Sequence, residues 1–296
     1  MFQSRRDLLK TAAFAAAAIP FAGNFAGGAD APKELIAPAS PVVAAKDPWK
    51  GLKVGVASYT FRKLPLDQTI TAIKRVDLHY VSIKEMHLPL KSSVEERKRV
   101  AQEFRDAGII PISCGVITIK DETSARAAFE YARDIAVPTI VCNPDPAALS
   151  ILDKLVKEFD IKIAIHNHGP EAEHFKSPYD TWEAIEPFDP RVGLCIDVGH
   201  TARAKVDPAE SMHKCKARLY DCHFKDIVSR DAKSAGTAEV EVGRGILDIR
   251  GMLTALLEIQ YAGHVGFEHE KTAENPLPGL AESVGFTKGV MSCIAG

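Results

Sequence analysis

Four short apolar runs in the second half of the chain each end in ionisable residues, and this pattern limits the folds that the chain can adopt. The runs are residues 161–169 (IKIAIHNHG), 192–200 (VGLCIDVGH), 219–226 (LYDCHFKD) and 264–270 (HVGFEHE). Each apolar part is typical of a parallel strand that is buried on both faces. Buried charge is costly unless it is paired or binds a metal, so these four strand ends predict one shared site at one edge of a parallel sheet.

Apolar runs alternate with helical patterns from residue 53 onward. Four further strands are predicted at residues 53–61, 80–87, 109–119 and 139–142, and helices at residues 65–76, 93–108, 122–136, 147–159, 208–215 and 248–260. Eight strands joined by helices predict an α/β protein with a single (β/α)8 TIM barrel. An open doubly wound sheet is the alternative, but it needs no eighth strand, and residues 53–62 lack its G-x-G-x-x-G turn.

The first fifty residues differ in composition from the rest of the chain. Residues 4–10 (SRRDLLK) carry paired arginines before an alanine-rich stretch, and residues 29–31 (ADA) fit a small-residue cleavage site. We therefore predict a twin-arginine export signal at residues 1–31, a Pro/Ala-rich linker at 32–50 and the barrel at 51–296. The expected location is the periplasm; a cytosolic amphipathic helix is the alternative. Because Pro20, Gly23 and Asn24 interrupt the apolar stretch, no stable membrane span is expected.

Charge and cysteine usage exclude two further classes of protein. The formal net charge is −2 at pH 7, whereas a nucleic-acid-binding surface is basic, so no nucleic-acid partner is expected. The six cysteines form no C-x-x-C pair, and most lie within apolar runs. They are predicted to be small buried side chains rather than a disulfide framework.

The two-residue period of a strand selects candidate metal ligands from the four runs. The first ionisable residue to leave each apolar part is expected to point toward the centre. These residues are His166, Asp197, His223 and Glu268. Two imidazoles and two carboxylates suit Mn²⁺, Co²⁺, Fe²⁺ or Zn²⁺ better than Ca²⁺, and open coordination positions would remain for substrate oxygens. His168, which shares a strand face with His166, is the alternative ligand from that run.

Residues close to these strand ends are candidates for catalysis. Glu85 shares a predicted strand face with Val81 and Ile83, so we expect it to reach the site; a salt bridge with Lys84 is the alternative. His200 follows Asp197 and is expected either to cap a helix or to bind substrate.

Residues further from the strands are candidates for substrate binding. His168, Lys225 and Glu270 are expected beyond the metal ligands, with a salt bridge at a loop base as the other role for Lys225. Arg244 lies between two glycines, which let a backbone approach a ligand closely, although a plain turn explains the pattern equally well. The remaining histidines considered, His79, His174, His213 and His264, are expected on the surface or on helices.

The set of motifs is similar to that of the xylose isomerase-like barrel superfamily, which includes sugar phosphate isomerases and epimerases. The motifs are HNHG at 166–169, DVGH at 197–200, HFKD at 223–226, GRG at 243–245 and FEHE at 267–270. The resemblance covers residue 53 to about residue 270. It implies one metal ligand from each of the last four strands, again His166, Asp197, His223 and Glu268. It implies one divalent ion, most often Mn²⁺, with Co²⁺, Mg²⁺ or Zn²⁺ in some members.

The resemblance implies a metal-dependent isomerase or epimerase of a small sugar that transfers a proton through an enediolate. Ketose 3-epimerase relatives carry a glutamate where this chain has His166, so their symmetrical pair of glutamates is absent. Glu268, or an added group such as Glu85, His168, His200 or Lys225, is then expected to carry the proton. The alternatives are a lyase or hydratase of keto-sugars or 3-keto-glycosides, and a non-catalytic sugar-binding barrel. Such barrels are often dimers or tetramers, so a homo-oligomer is also expected.

Overall fold

Parallel strands pair around a closed ring in the computed structural model, which describes residues 47–231 and 238–295. The ring runs β1-β10-β7-β6-β5-β4-β3-β2, and a two-stranded antiparallel hairpin, β8–β9, lies outside it. The barrel strands alternate with helices along the chain, so the prediction of a single (β/α)8 barrel is confirmed. The predicted export signal at 1–31 and the linker up to residue 46 lie outside the described residues.

The strands and helices have the following bounds. The strands are β1 Lys53–Ala57, β2 Tyr80–Ile83, β3 Ile110–Ile119, β4 Thr139–Pro144, β5 Lys162–His166, β6 Val192–Asp197, β7 Leu219–Phe224, β8 Asp226–Ile227, β9 Glu239–Val240 and β10 His264–Phe267. The helices are α1 Leu66–Arg75, α2 Val94–Asp106, α3 Glu122–Asp134, α4 Leu149–Phe159, α5 Pro178–Ile185, α6 Val198–Arg203, α7 Pro208–Lys214, α8 Ile249–Glu258 and α9 Leu277–Cys293. Short 3₁₀ turns lie at Ser58–Phe61, Pro146–Ala148 and Lys216–Arg218.

Side-chain oxygen atoms satisfy backbone N–H groups at the starts of several helices. Ser93 accepts from the backbone N of Glu96 at the start of α2, and Asp121 with Ser124 forms a capping box at the start of α3. These residues precede helical patterns in the sequence, which is why both starts were predictable. Helices α5 and α9 were not predicted, although Ser177 caps α5 through the backbone N of Asp180.

Several strands end earlier than the sequence predicts. The run 192–200 leaves the sheet at Asp197, because its carboxylate accepts a hydrogen bond from the backbone N of His200 and starts α6. The run 80–87 leaves the sheet after Ile83. Such caps bring the site residues to the very ends of the strands, where a TIM barrel carries its active site.

The barrel interior is filled at mid-height by small side chains. Val141, Ala164 and Cys195 form a fully buried cluster from β4, β5 and β6. The larger apolar cluster lies between the strands and the surrounding helices. Five of the cysteines are buried, Cys293 is exposed, and all six are free thiols, as predicted.

The carboxylate of Asp226 holds the loop that follows the hairpin through hydrogen bonds to its backbone. Its Oδ2 accepts from the backbone N of Gly243 and Gly245 at 3.0 and 2.9 Å, and its Oδ1 accepts from Leu247 N and Ile227 N at 3.1 and 2.9 Å. A Cβ atom at Gly245 would lie 2.1 Å from Asp226 Oδ1, so only glycine fits there. Asp226 is therefore a structural clasp.

No helix within residues 47–231 and 238–295 is long and apolar enough to cross a bilayer.

Candidate metal centre

Four buried side chains converge at the C-terminal mouth of the barrel. His166 ends β5, Asp197 ends β6, His223 lies on β7 and Glu268 follows β10. One ligand atom from each lies within 4.8 Å of the others. His166 Nε2 is 2.9 Å from His223 Nδ1 and 3.4 Å from Asp197 Oδ2, and His223 Nδ1 is 3.0 Å from Glu268 Oε2. The structure thus brings together the four predicted ligands.

Several polar atoms of this cluster have no hydrogen-bond partner in the described part of the chain. They are His166 Nδ1 and His223 Nε2, the ring nitrogens that do not face each other, and Asp197 Oδ2, which has an ion pair with Lys225 but no hydrogen bond. Buried polar groups are nearly always hydrogen-bonded, and an unpaired one commonly marks a site that takes an ion or water. The donor set, two imidazoles and two carboxylates, fits a divalent transition metal. The residues present therefore fit such an ion.

Electrostatics favour the ligand form of His166, Asp197 and Glu268. Burial holds the pKa of His166 well below its usual value, so the ring is neutral at neutral pH. Burial alone would raise the pKa of Asp197, but Lys225 and His200 outweigh it, and the pKa lies well below its ordinary value. Burial likewise opposes ionisation of Glu268, yet His223, Lys84 and Lys225 hold its pKa well below normal. Metal ligands must be deprotonated, which is the state favoured here.

Two buried lysines neutralise the carboxylates. Lys225 Nζ lies 3.0 Å from Asp197 Oδ2, 3.1 Å from Glu268 Oε2 and 2.7 Å from Glu270 Oε1. These carboxylates hold the pKa of Lys225 well above normal, although burial acts the other way. Lys84 Nζ lies 3.0 Å from Glu268 Oε1, and its side chain is 5% exposed. Glu268 is therefore bound by one lysine on each oxygen.

Lys84 is a site residue that the sequence does not single out, and Glu85 reaches the site at the rim of its cavity. Glu85 was expected to point inward with Val81 and Ile83, but these two belong to the apolar cluster between strands and helices. The site-facing position after β2 belongs to Lys84, whereas Glu85 is exposed at the rim. Both strand faces are apolar in a parallel barrel, so apolar neighbours do not reveal which face is inside.

The structure places some of the candidate catalytic and substrate-binding residues beside the cluster and others away from it. His168 lies at the edge of the cluster, with its ring centroid 4.4 Å from that of His166. His200 stands edge-on to His166 at 5.8 Å, and its Nδ1 is 3.3 Å from Arg203 Nη1. Arg244 is exposed and pairs with Glu282 on α9, away from the cluster. The structure therefore does not bring Arg244 to the site.

The cluster opens into a cavity of about 310 Å³. Ten residues line it: Tyr59, Lys84, Glu85, Met86, Val116, His166, His168, His200, Glu268 and Glu270. Burial lowers the pKa of both His168 and His200, so both rings are neutral at neutral pH. The cavity thus combines the cluster with lysine and imidazole groups that are able to move protons.

His264 is not a surface or helix residue, contrary to expectation. It begins β10, is 1% exposed, and its Nδ1 lies 3.3 Å from Asp221 Oδ1. An apolar run that starts with histidine gives no sign that the first residue points into the barrel. His79, His174 and His213 are exposed, as expected.

Comparison with known proteins agrees with this architecture. Residues 147–290 match the family model described as a xylose isomerase-like TIM barrel. The matched segment is just under half of the chain, and it contains all four clustered residues. No curated protein matches its sequence.

Solved structures with the same fold share little sequence with this barrel. A zinc-bound IolI protein has 18% identity and a TM-score of 0.70, over 83% of this chain and 100% of that one. A D-tagatose 3-epimerase-like protein has 18% identity and a TM-score of 0.66, over 82% and 98%. The 3-keto-D-glucoside 4-epimerase of E. coli has 15% identity and a TM-score of 0.65, over 80% and 99%. At these identities the likeness shows the fold alone.

Proposed function

We propose that this barrel is a divalent-metal-dependent sugar isomerase or epimerase that transfers a proton at a carbon next to a carbonyl. The observation that carries the proposal is the buried cluster of two histidines and two carboxylates at the floor of the C-terminal cavity, with one ligand atom from each within 4.8 Å of the others. Active sites of TIM barrels lie at this end. The neighbouring structures named as epimerases support the same reaction class.

His166, Asp197, His223 and Glu268 would hold the ion, with Mn²⁺ as the first expectation and Co²⁺, Mg²⁺, Fe²⁺ or Zn²⁺ as alternatives. A bound divalent ion supplies Lewis acidity, which polarises a carbonyl and makes the adjacent carbon more acidic. Lys84 and Lys225 add positive charge beside Glu268, where an enediolate would develop negative charge.

The proton carrier is expected among the residues that line the cavity and are not held in strong ion pairs. Glu268 is held by two lysines and His223, which makes it a weak base. His168 and His200 are neutral imidazoles on the cavity wall and are better suited to accept a proton. We therefore assign proton transfer to this pair, and retain Glu268 as a ligand.

A lyase acting on keto-sugars or 3-keto-glycosides is the second candidate. A further cavity of about 560 Å³ adjoins the site and shares His168 with it; its wall includes Thr118, Asn143, Glu171 and His174. That space would hold a second group attached to the sugar. A neighbouring structure is described as a probable 3-DHS dehydratase, which eliminates water from its substrate.

Metal content tests the first part of the proposal. Wild type, His166→Ala and Glu268→Gln would be loaded with Mn²⁺ or Co²⁺ and measured by elemental analysis, with His213→Ala as the exposed control. We expect near-stoichiometric metal in wild type and control, and at least about tenfold weaker binding in His166→Ala. Absence of metal from wild type after reconstitution would overturn the proposal.

Deuterium exchange tests the chemistry. The metal-loaded protein would be incubated with ketoses, aldoses and 3-keto-glycosides in D₂O and followed by proton NMR. An isomerase or epimerase incorporates deuterium at the carbon next to the carbonyl, whereas a lyase releases the aglycone. Tight sugar binding with neither outcome would identify a binding barrel instead.

We also propose that the protein works outside the cytoplasm, on the strength of the paired arginines at positions 5 and 6. Cell fractionation of the tagged full chain, with Arg5→Lys and Arg6→Lys together as the comparison, would show export of the wild type and retention of the variant. Equal distribution of the two would contradict this proposal.

A further inference from the structure

The opposite, N-terminal mouth of the barrel holds a cavity of about 440 Å³. It is lined by residues at the starts of strands, including Lys53 on β1, Thr139 on β4, Lys162 on β5 and His264 on β10, and by Lys216 of the turn before β7. In a TIM barrel the interior is a packed core and catalysis belongs to the other end. A cavity of this size here has no place in the proposed reaction.

The lining of this cavity is cationic. Three of its residues are lysines and none is a carboxylate. Within residues 47–231 and 238–295, Lys53, Lys162 and Lys216 form no ion pair; Lys162 Nζ lies 4.6 Å from the ring centroid of Tyr220 instead. Lys53 is half-buried, and Lys162 and Lys216 are exposed. Ammonium groups that share one concave mouth raise its positive potential and attract anions.

A buried histidine is also among the residues that line the cavity. His264 lines it although the residue is only 1% exposed, and neither ring nitrogen makes a hydrogen bond with the described residues. Asp221, which lies 3.3 Å from His264 Nδ1, itself accepts a hydrogen bond from Ser113 Oγ at 2.5 Å. This leaves His264 Nε2 as an unused polar atom, which is rare in a folded protein.

We propose that this basal lysine pocket, formed by Lys53, Lys162, Lys216, Thr139 and His264, binds a small phosphate or sulfate group. Lysines act as point charges toward such oxyanions, and a hydroxyl and a ring N–H add directional hydrogen bonds. The cavity falls in the size range of small-molecule sites, so it accommodates a small ester as well as the free anion. The buried layer of Val141, Ala164 and Cys195 separates the pocket from the metal centre.

Calorimetric titration of the metal-free full chain with inorganic phosphate and with glycerol phosphate, at constant ionic strength, tests the proposal. The test variant is Lys53→Gln/Lys162→Gln/Lys216→Gln. The matched control is Lys91→Gln/Lys98→Gln/Lys154→Gln, which removes the same charge from exposed lysines on the outside of the barrel. We expect saturable binding in wild type, about tenfold or greater loss of affinity in the test variant, and little change in the control.

Two further variants make the result specific. His264→Gln is expected to weaken binding without altering the lysines, and Lys225→Gln, at the metal centre, is expected to leave the affinity unchanged. Absence of saturable binding, equal loss in both triple variants, or loss in Lys225→Gln alone would overturn the proposal. Tighter binding of glycerol phosphate than of phosphate would identify an ester as the ligand, and the reverse order the free anion.

Discussion

At the scale of single residues, the lysine at position 84 distinguishes this site most clearly from a bare set of metal ligands. Its ammonium group contacts one oxygen of Glu268, while Lys225 and His223 contact the other. A fixed positive charge beside a cation site repels the ion, yet it stabilises negative charge that forms on a substrate. Lys84 therefore acts against metal binding and in favour of turnover.

Lys84→Met separates these two effects. We expect Mn²⁺ affinity equal to or greater than that of wild type, because one repelling charge is gone, and a fall in kcat of about tenfold or more. Metal titration and steady-state kinetics on the substrate found by deuterium exchange provide the measurements. Lys91→Met is the control on the surface; weaker metal binding in Lys84→Met would show that the lysine instead holds Glu268 in place.

Sequence reasoning located the four clustered side chains because each is itself ionisable and interrupts an apolar run. It failed for Lys84 for a physical reason. Ser82 on β2 and Lys84 directly after it lie on the inner side, while Val81 and Ile83 belong to the outer apolar cluster. Only the contact between Lys84 and Glu268, which is distant in the sequence, shows which face points into the barrel.

At the scale of elements, the β8–β9 hairpin and the loop after it support the rim of the cavity. Glu239 on β9 is buried, and its Oε1 accepts a hydrogen bond from the backbone N of Glu270 at 2.6 Å. Burial raises the pKa of Glu239 to about 8. The folded state therefore binds a proton here between the ordinary pKa and about pH 8.

The sign of the resulting pH dependence follows from linkage. Because the pKa of Glu239 in the folded state is raised above its ordinary value of 4.5, its contribution to stability is greatest below pH 4.5 and declines as pH rises to about 8. Glu239→Gln removes this titration and keeps an oxygen acceptor for Glu270. We expect urea denaturation to show a smaller loss of stability from pH 4.5 to 8 in the variant than in wild type. Parallel pH curves would contradict the assignment.

The clasp at Asp226 gives a second prediction for this element. Asp226→Asn places an NH₂ group where one carboxylate oxygen accepts hydrogen bonds from the backbone N of Gly243 and Gly245. We expect the free energy of unfolding to fall by about 2 kcal/mol, because buried N–H groups lose their acceptor. Hydrogen exchange should become faster at residues 243–247. Asp231→Asn, at an exposed position, is expected to change neither quantity.

The glycines of the GRG motif at 243–245 have a structural role and do not bring Arg244 to a ligand. These glycines suggested a backbone close to a ligand, with Arg244 as the binding group. Gly243 has φ +96° and Gly245 touches the Asp226 carboxylate, so both glycines serve the clasp. Arg244 turns outward to Glu282, a partner on a helix that was not predicted.

At the scale of the whole molecule, the barrel brings together residues that are distant in sequence, and its two mouths carry different chemistry. The alternating pattern was sufficient to predict the architecture, since eight apolar runs separated by helices fit few other folds. The direction of individual side chains at the N-terminal mouth was not predictable. His264 and Asp221 are paired by the register of β10 against β7, which exists only after the ring closes.

The lysines of the metal centre predict that the whole barrel folds without its ion. Asp197 and Glu268 each contact a lysine, so removing the metal does not leave uncompensated buried charge. After chelation with EDTA we expect an unchanged circular dichroism spectrum, and a rise in Tm when Mn²⁺ is restored, by mass action. Loss of the folded spectrum on chelation would mean that the ion is structural.

The two carboxylate oxygens of Asp197 have different roles. Oδ1 accepts a hydrogen bond from the backbone N of His200 at the start of α6, and Oδ2 lies in the ligand cluster, 3.0 Å from Lys225 Nζ and 3.4 Å from His166 Nε2. A helix start accepts Asn, Ser or Thr in place of Asp, but none of these brings an anionic oxygen. Fold and chemistry therefore select the same amino acid at position 197 for separate reasons.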